Sequence, residues 1–146
     1  MKINTAIIRG LNPCAPRFNN YLGHYKDFDG TLEEFLALDN ITYSDKVWVF
    51  TRLVDNIQLL RWSYLCAESV LHIFETKYPN DNRPRQALDA KLKYINKPTE
   101  DNLIDWDNSR NAAAYAAYPA YAADAAAAAG KAQQDLNLLF MIEAVF

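Results

Sequence analysis

Arg61, Glu68, His72 and Glu75 have the side-chain types and the spacing to do chemistry together. Their offsets of 7, 11 and 14 residues from Arg61 fall near whole turns of an α-helix, so they share one face. Glu68 with His72, and His72 with Glu75, stand at the i,i+4 and i,i+3 spacings at which carboxylate and imidazole hold a divalent metal. A di-metal helical site needs Glu-x-x-His on two helices and two further Glu. The chain has 2 histidines and no second such motif, so the expected reading is a solvated or salt-bridged face without a metal. Further on, Arg83-Pro84-Arg85 sets two guanidiniums beside a rigid turn. They can grip a phosphate or carboxylate in a fork. They can also pair with Glu68, Glu75 or Asp81 and lock one helix onto another, which is the preferred reading. An enzyme or small-ligand binder would have to be built on Arg61, Glu68, His72, Arg83 and Arg85.

Other chemistry finds little support. There is no G-x-S-x-G, no H-E-x-x-H and no glycine-rich phosphate loop, and 4 glycines leave little backbone for a phosphate cradle. No catalytic residue and no cofactor is expected. Cys14 and Cys66 lie far apart, outside any C-x-x-C; one disulfide is open to them in principle, and the preferred reading is two free buried thiols in a reducing cytosol. The 146 residues, 51% hydrophobic and 23% charged, describe one globular domain and exclude disorder, collagen and a disulfide scaffold. A net charge of −3 argues against direct nucleic-acid binding. Met1–Ala6 carries no apolar run, and no convincing membrane span follows, so a cytoplasmic protein is expected.

Charge and aromatic patterning suggest docking instead. Between Arg83 and Lys97 stand five basic residues and one acid, Asp89; between Glu100 and Asp107 stand Glu100, Asp101, Asp105 and Asp107 with no base. The acids suit a basic protein partner. They equally suit the positive end of a helix dipole. Tyr115, Tyr118 and Tyr121 form a ladder that serves either as an interaction surface or as the large knobs of an alanine-lined core.

Helices must position these groups. Ile57, Leu60, Tyr64, Ala67, Leu71, Phe74 and Tyr78 step alternately by 3 and 4 residues, an unbroken apolar seam. Leu59, Trp62, Cys66, Val70 and Ile73 widen it, which places a helix over 57–78 at the centre of the core, ending at Pro79. Either Asn56 caps that helix afresh, or the helix opened by Ser44-Asp45 runs straight into it. Asn82 is expected to cap the next helix, with Pro84 in its first turn, and Asn96-Lys97-Pro98 to end it. Thr99 to Asn102 starts another, anchored by Leu103, Ile104 and Trp106. Thr31-Leu32-Glu33-Glu34 reads as a capping box that opens a short helix to about Leu38. Residues 1–30 read as irregular, with one short helix near Pro16–His24. From Ala112 to Ala132, 14 of 21 residues are alanine, the best helix former. Pro119 must break or kink that run. An apolar helix over about Lys131–Phe146 closes the chain. No segment alternates as a strand does. The fold class is all-α: an antiparallel helical array or bundle with an Ala-rich C-terminal region, in a single domain over 1–146.

The stretch Leu60-Arg61-Trp62, Cys66-Ala67-Glu68-Ser69-Val70-Leu71, Phe74-Glu75 and Pro79-Asn80-Asp81-Asn82-Arg83-Pro84-Arg85-Gln86-Ala87-Leu88-Asp89-Ala90 resembles the "putative immunity protein" family of bacterial polymorphic-toxin systems. The likeness covers about residues 58–130. Leu32-Glu33-Glu34-Phe35-Leu36 and Trp48 look like its phage-borne version. Cys66, Glu68, Glu75, Arg83, Pro84 and Arg85 match the family pattern, and Pro119 departs from it. The resemblance implies a helical, non-enzymatic protein that binds and neutralises a protein effector; a phage origin implies a counter-defence inhibitor of the anti-CRISPR type. It brings no catalytic residue. On this reading Glu100, Asp101, Asp105 and Asp107, with the three tyrosines, meet the partner. The alternatives are a self-associating assembly protein, which includes a homo-oligomer, and the ligand-binding cluster named above.

Overall fold

The computed structural model describes residues 1–113 and 131–145, and these are all-α apart from one two-stranded ribbon. They gather into two units, Met1–Asp55 with Met141–Phe146, and Asn56–Phe140.

In the first unit, β1 (Lys2–Asn4) pairs antiparallel with β2 (Asp29–Thr31), Ile3 opposite Gly30. The segment expected to be irregular is therefore largely ordered. It holds the ribbon, α1 (Thr5–Gly10) and α2 (Ala15–Tyr25). Two things organise it. The Asn4 side chain accepts the Ile7 N–H at 2.9 Å and so starts α1. Contacts distant in sequence then fix the ends: Thr5 N–H to Phe28 O, Leu32 N–H to Met1 O, and the Thr5 hydroxyl to the Tyr21 hydroxyl at 2.9 Å. Gly30 leaves room for the capping carboxylate: a Cβ there would lie 2.5 Å from Glu34 Oε2 and 2.9 Å from the Phe28 ring, so both side chains would have to shift.

α3 (Leu32–Leu36) carries the expected capping box: Glu34 N–H donates to Thr31 Oγ1 at 3.2 Å, and Thr31 N–H donates to Glu34 Oε2 at 2.7 Å. α4 (Tyr43–Leu53) starts two residues earlier than Ser44-Asp45 implied, because Thr42 is the cap and accepts the Asp45 N–H. The core of this unit includes Ile3, Ile8, Phe35, Leu36, Val49 and Phe50. Burial of each such side chain is worth about 1.5–3 kcal/mol.

Val54 leaves the helical region (φ −93°, ψ 155°), so α4 ends and α5 (Asn56–Lys77) begins as a separate helix. α5 forms a hairpin with α6 (Arg83–Asn96). Only Leu71 and Phe74 of α5 are fully buried; residues 57–70 are half-buried throughout, so the seam sinks deepest toward its C-terminal end. α7 covers 100–113 and α8 Lys131–Glu143. The Trp62 indole donates to Asn137 O at 3.1 Å and the Gln133 amide to Ser69 Oγ at 3.1 Å, which ties α8 to α5. The Ala-rich run from Ala114 to Gly130 lies outside the described residues.

Candidate functional site

Two arrangements in the second unit use the residues singled out in the sequence. The first spans the α5–α6 hairpin. Glu68 and Glu75 lie two turns apart on α5, and Arg85 lies in the first turn of α6. Its guanidinium reaches both: Nε to Glu75 Oε1 at 2.8 Å, Nη2 to Glu75 Oε2 at 3.1 Å, and Nη1 to Glu68 Oε1 at 2.6 Å. One planar fork thus grips one carboxylate with two bonds and another with its remaining edge. The hydrogen bonds from Arg85, and then its charge, hold the Glu75 carboxyl below the usual carboxylate range; both carboxylates push the guanidinium the opposite way. Glu68 Oε2 is buried and has no hydrogen-bond partner.

Arg83 is separate. It folds back on Asp81, Nε to Oδ1 at 2.8 Å and Nη2 to Oδ2 at 2.7 Å. Asp81 Oδ1 also accepts the Arg83 N–H at 3.2 Å. The Asn82 side chain makes no capping bond, so the carboxylate one residue earlier does the work expected of it. Pro84 is buried in the first turn. Arg61 enters no ion pair among the described residues, and His72 is exposed one turn before Glu75. Arg61, Glu68, His72, Arg83 and Arg85 therefore divide into one three-membered bridge, one local pair and two side chains outside both. Among the described residues, no three of His, Cys, Asp and Glu gather closely enough to hold a metal ion.

Cys66 is half-buried, and burial pushes its thiol up to about 11. Both cysteines are free, but Cys14 is exposed, not buried as expected, because it stands at the open start of α2. Lys91 was not anticipated. Its ammonium donates to Ser63 Oγ at 2.7 Å and lies 5.7 Å from the Trp106 ring centroid, and burial lowers its pKa.

The second arrangement is the outer face of α7. Thr99 caps it by accepting the Asn102 N–H. Asn102, Trp106, Ser109 and Ala113 turn inward, at offsets of 4, 7 and 11 residues from Asn102. The Asn102 amide donates to Lys97 O at 2.7 Å. Leu103 and Ile104, expected as anchors, are instead exposed, Ile104 by 52%. The inward stripe was hard to see because its first member is polar. Asp105 pairs with Lys93 of α6 at 2.9 Å and Asp107 with Arg110 at 3.1 Å. Glu100 and Asp101 are exposed and enter no ion pair among the described residues. An exposed apolar pair thus stands among four acids, two of them uncompensated. Tyr115, Tyr118 and Tyr121 lie outside the described residues.

No helix among the described residues is long and apolar enough to cross a membrane. No curated protein and no solved structure matches the chain. The model of one family does match, over residues 51–137, which takes in the α5–α6 hairpin, the Arg85 bridge and α7. On that match, which spans more than half of its length, the chain belongs to the Imm-5 like putative immunity protein family.

Proposed function

We propose that this protein is a non-enzymatic, immunity-type inhibitor that docks on a basic surface of a toxin-like effector and covers it. The observation that carries the reading is the outer face of α7, where Leu103 and Ile104 stand exposed among Glu100, Asp101, Asp105 and Asp107. Apolar anchors inside a charged rim are how docking surfaces combine affinity with steering. The Arg85 bridge supports binding over catalysis, because its three charged groups engage one another. Tyr115, Tyr118 and Tyr121 stay in the proposal on chemistry alone, since tyrosine offers contact area at low entropic cost.

The test uses the effector captured with the chain from its native host and identified by mass spectrometry. Glu100→Lys with Asp101→Lys should weaken that complex at least tenfold at low salt and lower the melting temperature only by the few degrees expected from reversing two charges in the first turn of α7. Unchanged affinity removes α7 as the docking face. Leu136 and Leu139 of α8 are also exposed, Leu139 by 61%, which favours self-association as a second reading. Sedimentation across a concentration series separates the two: a strict monomer supports the inhibitor, and an oligomer that persists on dilution supports assembly.

A further inference from the structure

A pocket of about 340 Å³ opens in the first unit among α1, α2, α3 and α4. Of its lining, only Arg52 lies inside the span matched by the immunity family. Its volume is at the small end of the roughly 300–1,000 Å³ of ligand sites, enough for a molecule of one or two rings. The buried part of its wall comes from Ile8, Tyr21, Phe35, Ile41 and Val49. The Tyr21 hydroxyl is already engaged by Thr5. The body of an occupant must therefore be apolar. Phe18 and Trp48 add two half-buried aromatic rings, which favour a flat one.

The charges decide the rest. Asp45 is the one carboxylate of the lining, and Arg17 neutralises it at 2.9 Å while also donating to Thr42 Oγ1. Among the described residues Arg52 has no carboxylate partner. Its guanidinium lies over the Trp48 ring, 4.0 Å from the centroid, and among the described residues spends only Nη1, on Trp48 O at 3.1 Å. The site thus pairs an apolar, aromatic wall with surplus guanidinium charge and an unspent fork. We infer that it is a binding site for a small planar aromatic carboxylate, held by its ring against Trp48 and the apolar wall and by its carboxylate on Arg52.

Calorimetric and amide-resonance titrations of the full chain test this, with indole-3-acetate as probe and indole-3-acetamide as its uncharged counterpart. The acid should saturate, shift resonances within residues 8–52, and bind at least tenfold tighter than the amide. Arg52→Gln gives up the stacking on Trp48 and should lower the melting temperature only modestly while bringing the acid down to the affinity of the amide. Arg52→Lys, which keeps charge but not the fork, should fall between. Absence of acid binding, equal binding of acid and amide, or shifts confined to residues beyond 52 would each overturn the assignment.

Discussion

At the scale of single residues, Arg85, Glu68 and Glu75 are spent on each other, and acid should show this first. The Glu75 carboxyl sits below its ordinary range because Arg85 donates two hydrogen bonds to it. A carboxyl depressed in the folded state stabilises the fold fully above its unfolded pKa of about 4.3 and loses that contribution as pH falls through the folded value. Wild type should therefore melt above Glu75→Gln at pH 7, and thermal melts in a pH series should show the gap closing below about pH 4. A gap independent of pH would mean that packing, not charge, separates them. The cysteines give a second reading at this scale. Cys14 is exposed, whereas the Cys66 thiol is half-buried and pushed up to about 11, so it is protonated at neutral pH. Iodoacetamide followed by peptide mass spectrometry should label Cys14 readily in the native protein and Cys66 only when the chain is unfolded.

At the scale of elements, what the sequence revealed depended on how local the cause was. The capping box at Thr31, the helix carried by the long seam and the stops at Pro79 and Pro98 are written within a few residues, and they stand where the pattern put them, although the seam is deeply buried only at Leu71 and Phe74. The first 30 residues read as irregular because their order is not local: β1 finds β2 about 27 residues away, and α1 is six residues long, too short to declare itself by period. α7 shows a third case. Its type was legible and its facing was not, since hydrophobicity points to Leu103 and Ile104 while the buried stripe begins with Asn102. The Asn102 amide makes that register work by satisfying Lys97 O, a carbonyl at the end of α6. Asn102→Leu should thus be the costly change on this helix despite its added hydrophobicity, by about 0.5–1.5 kcal/mol for the lost hydrogen bond to Lys97 O, which keeps only the Thr99 N–H. Ile104→Ser should cost less than about 0.5 kcal/mol, as expected of an exposed position. Urea melts of the two variants decide it; the reverse order would mean the helix is turned the other way.

At the scale of the whole molecule, the family match and the architecture fall along the same line. The matched span, residues 51–137, is nearly the second unit, Asn56–Phe140, and the pocket belongs to the first unit, nearly all of whose lining precedes that span. Within the second unit charge is sorted, basic residues along Arg83–Lys97 and acids along Glu100–Asp107, and among the described residues the Lys93–Asp105 pair alone joins the two. Net charge is a mere −3, so long-range attraction to a basic effector must come from this local sorting rather than from the molecule's total. Such attraction acts on encounter and is screened as the Debye length shrinks from about 10 Å at 0.1 M salt to about 3 Å at 1 M. The desolvated contact around Leu103 and Ile104 holds the complex once formed and is insensitive to salt. Surface plasmon resonance against the captured effector should accordingly show an association rate that falls several-fold over that range with a nearly constant dissociation rate. Glu100→Lys with Asp101→Lys should flatten the salt dependence, and Leu103→Ser with Ile104→Ser should raise the dissociation rate alone. Were salt to act on dissociation instead, the acids would be buried ion pairs at the centre of the interface rather than its rim, and the division of labour on α7 would have to be reversed.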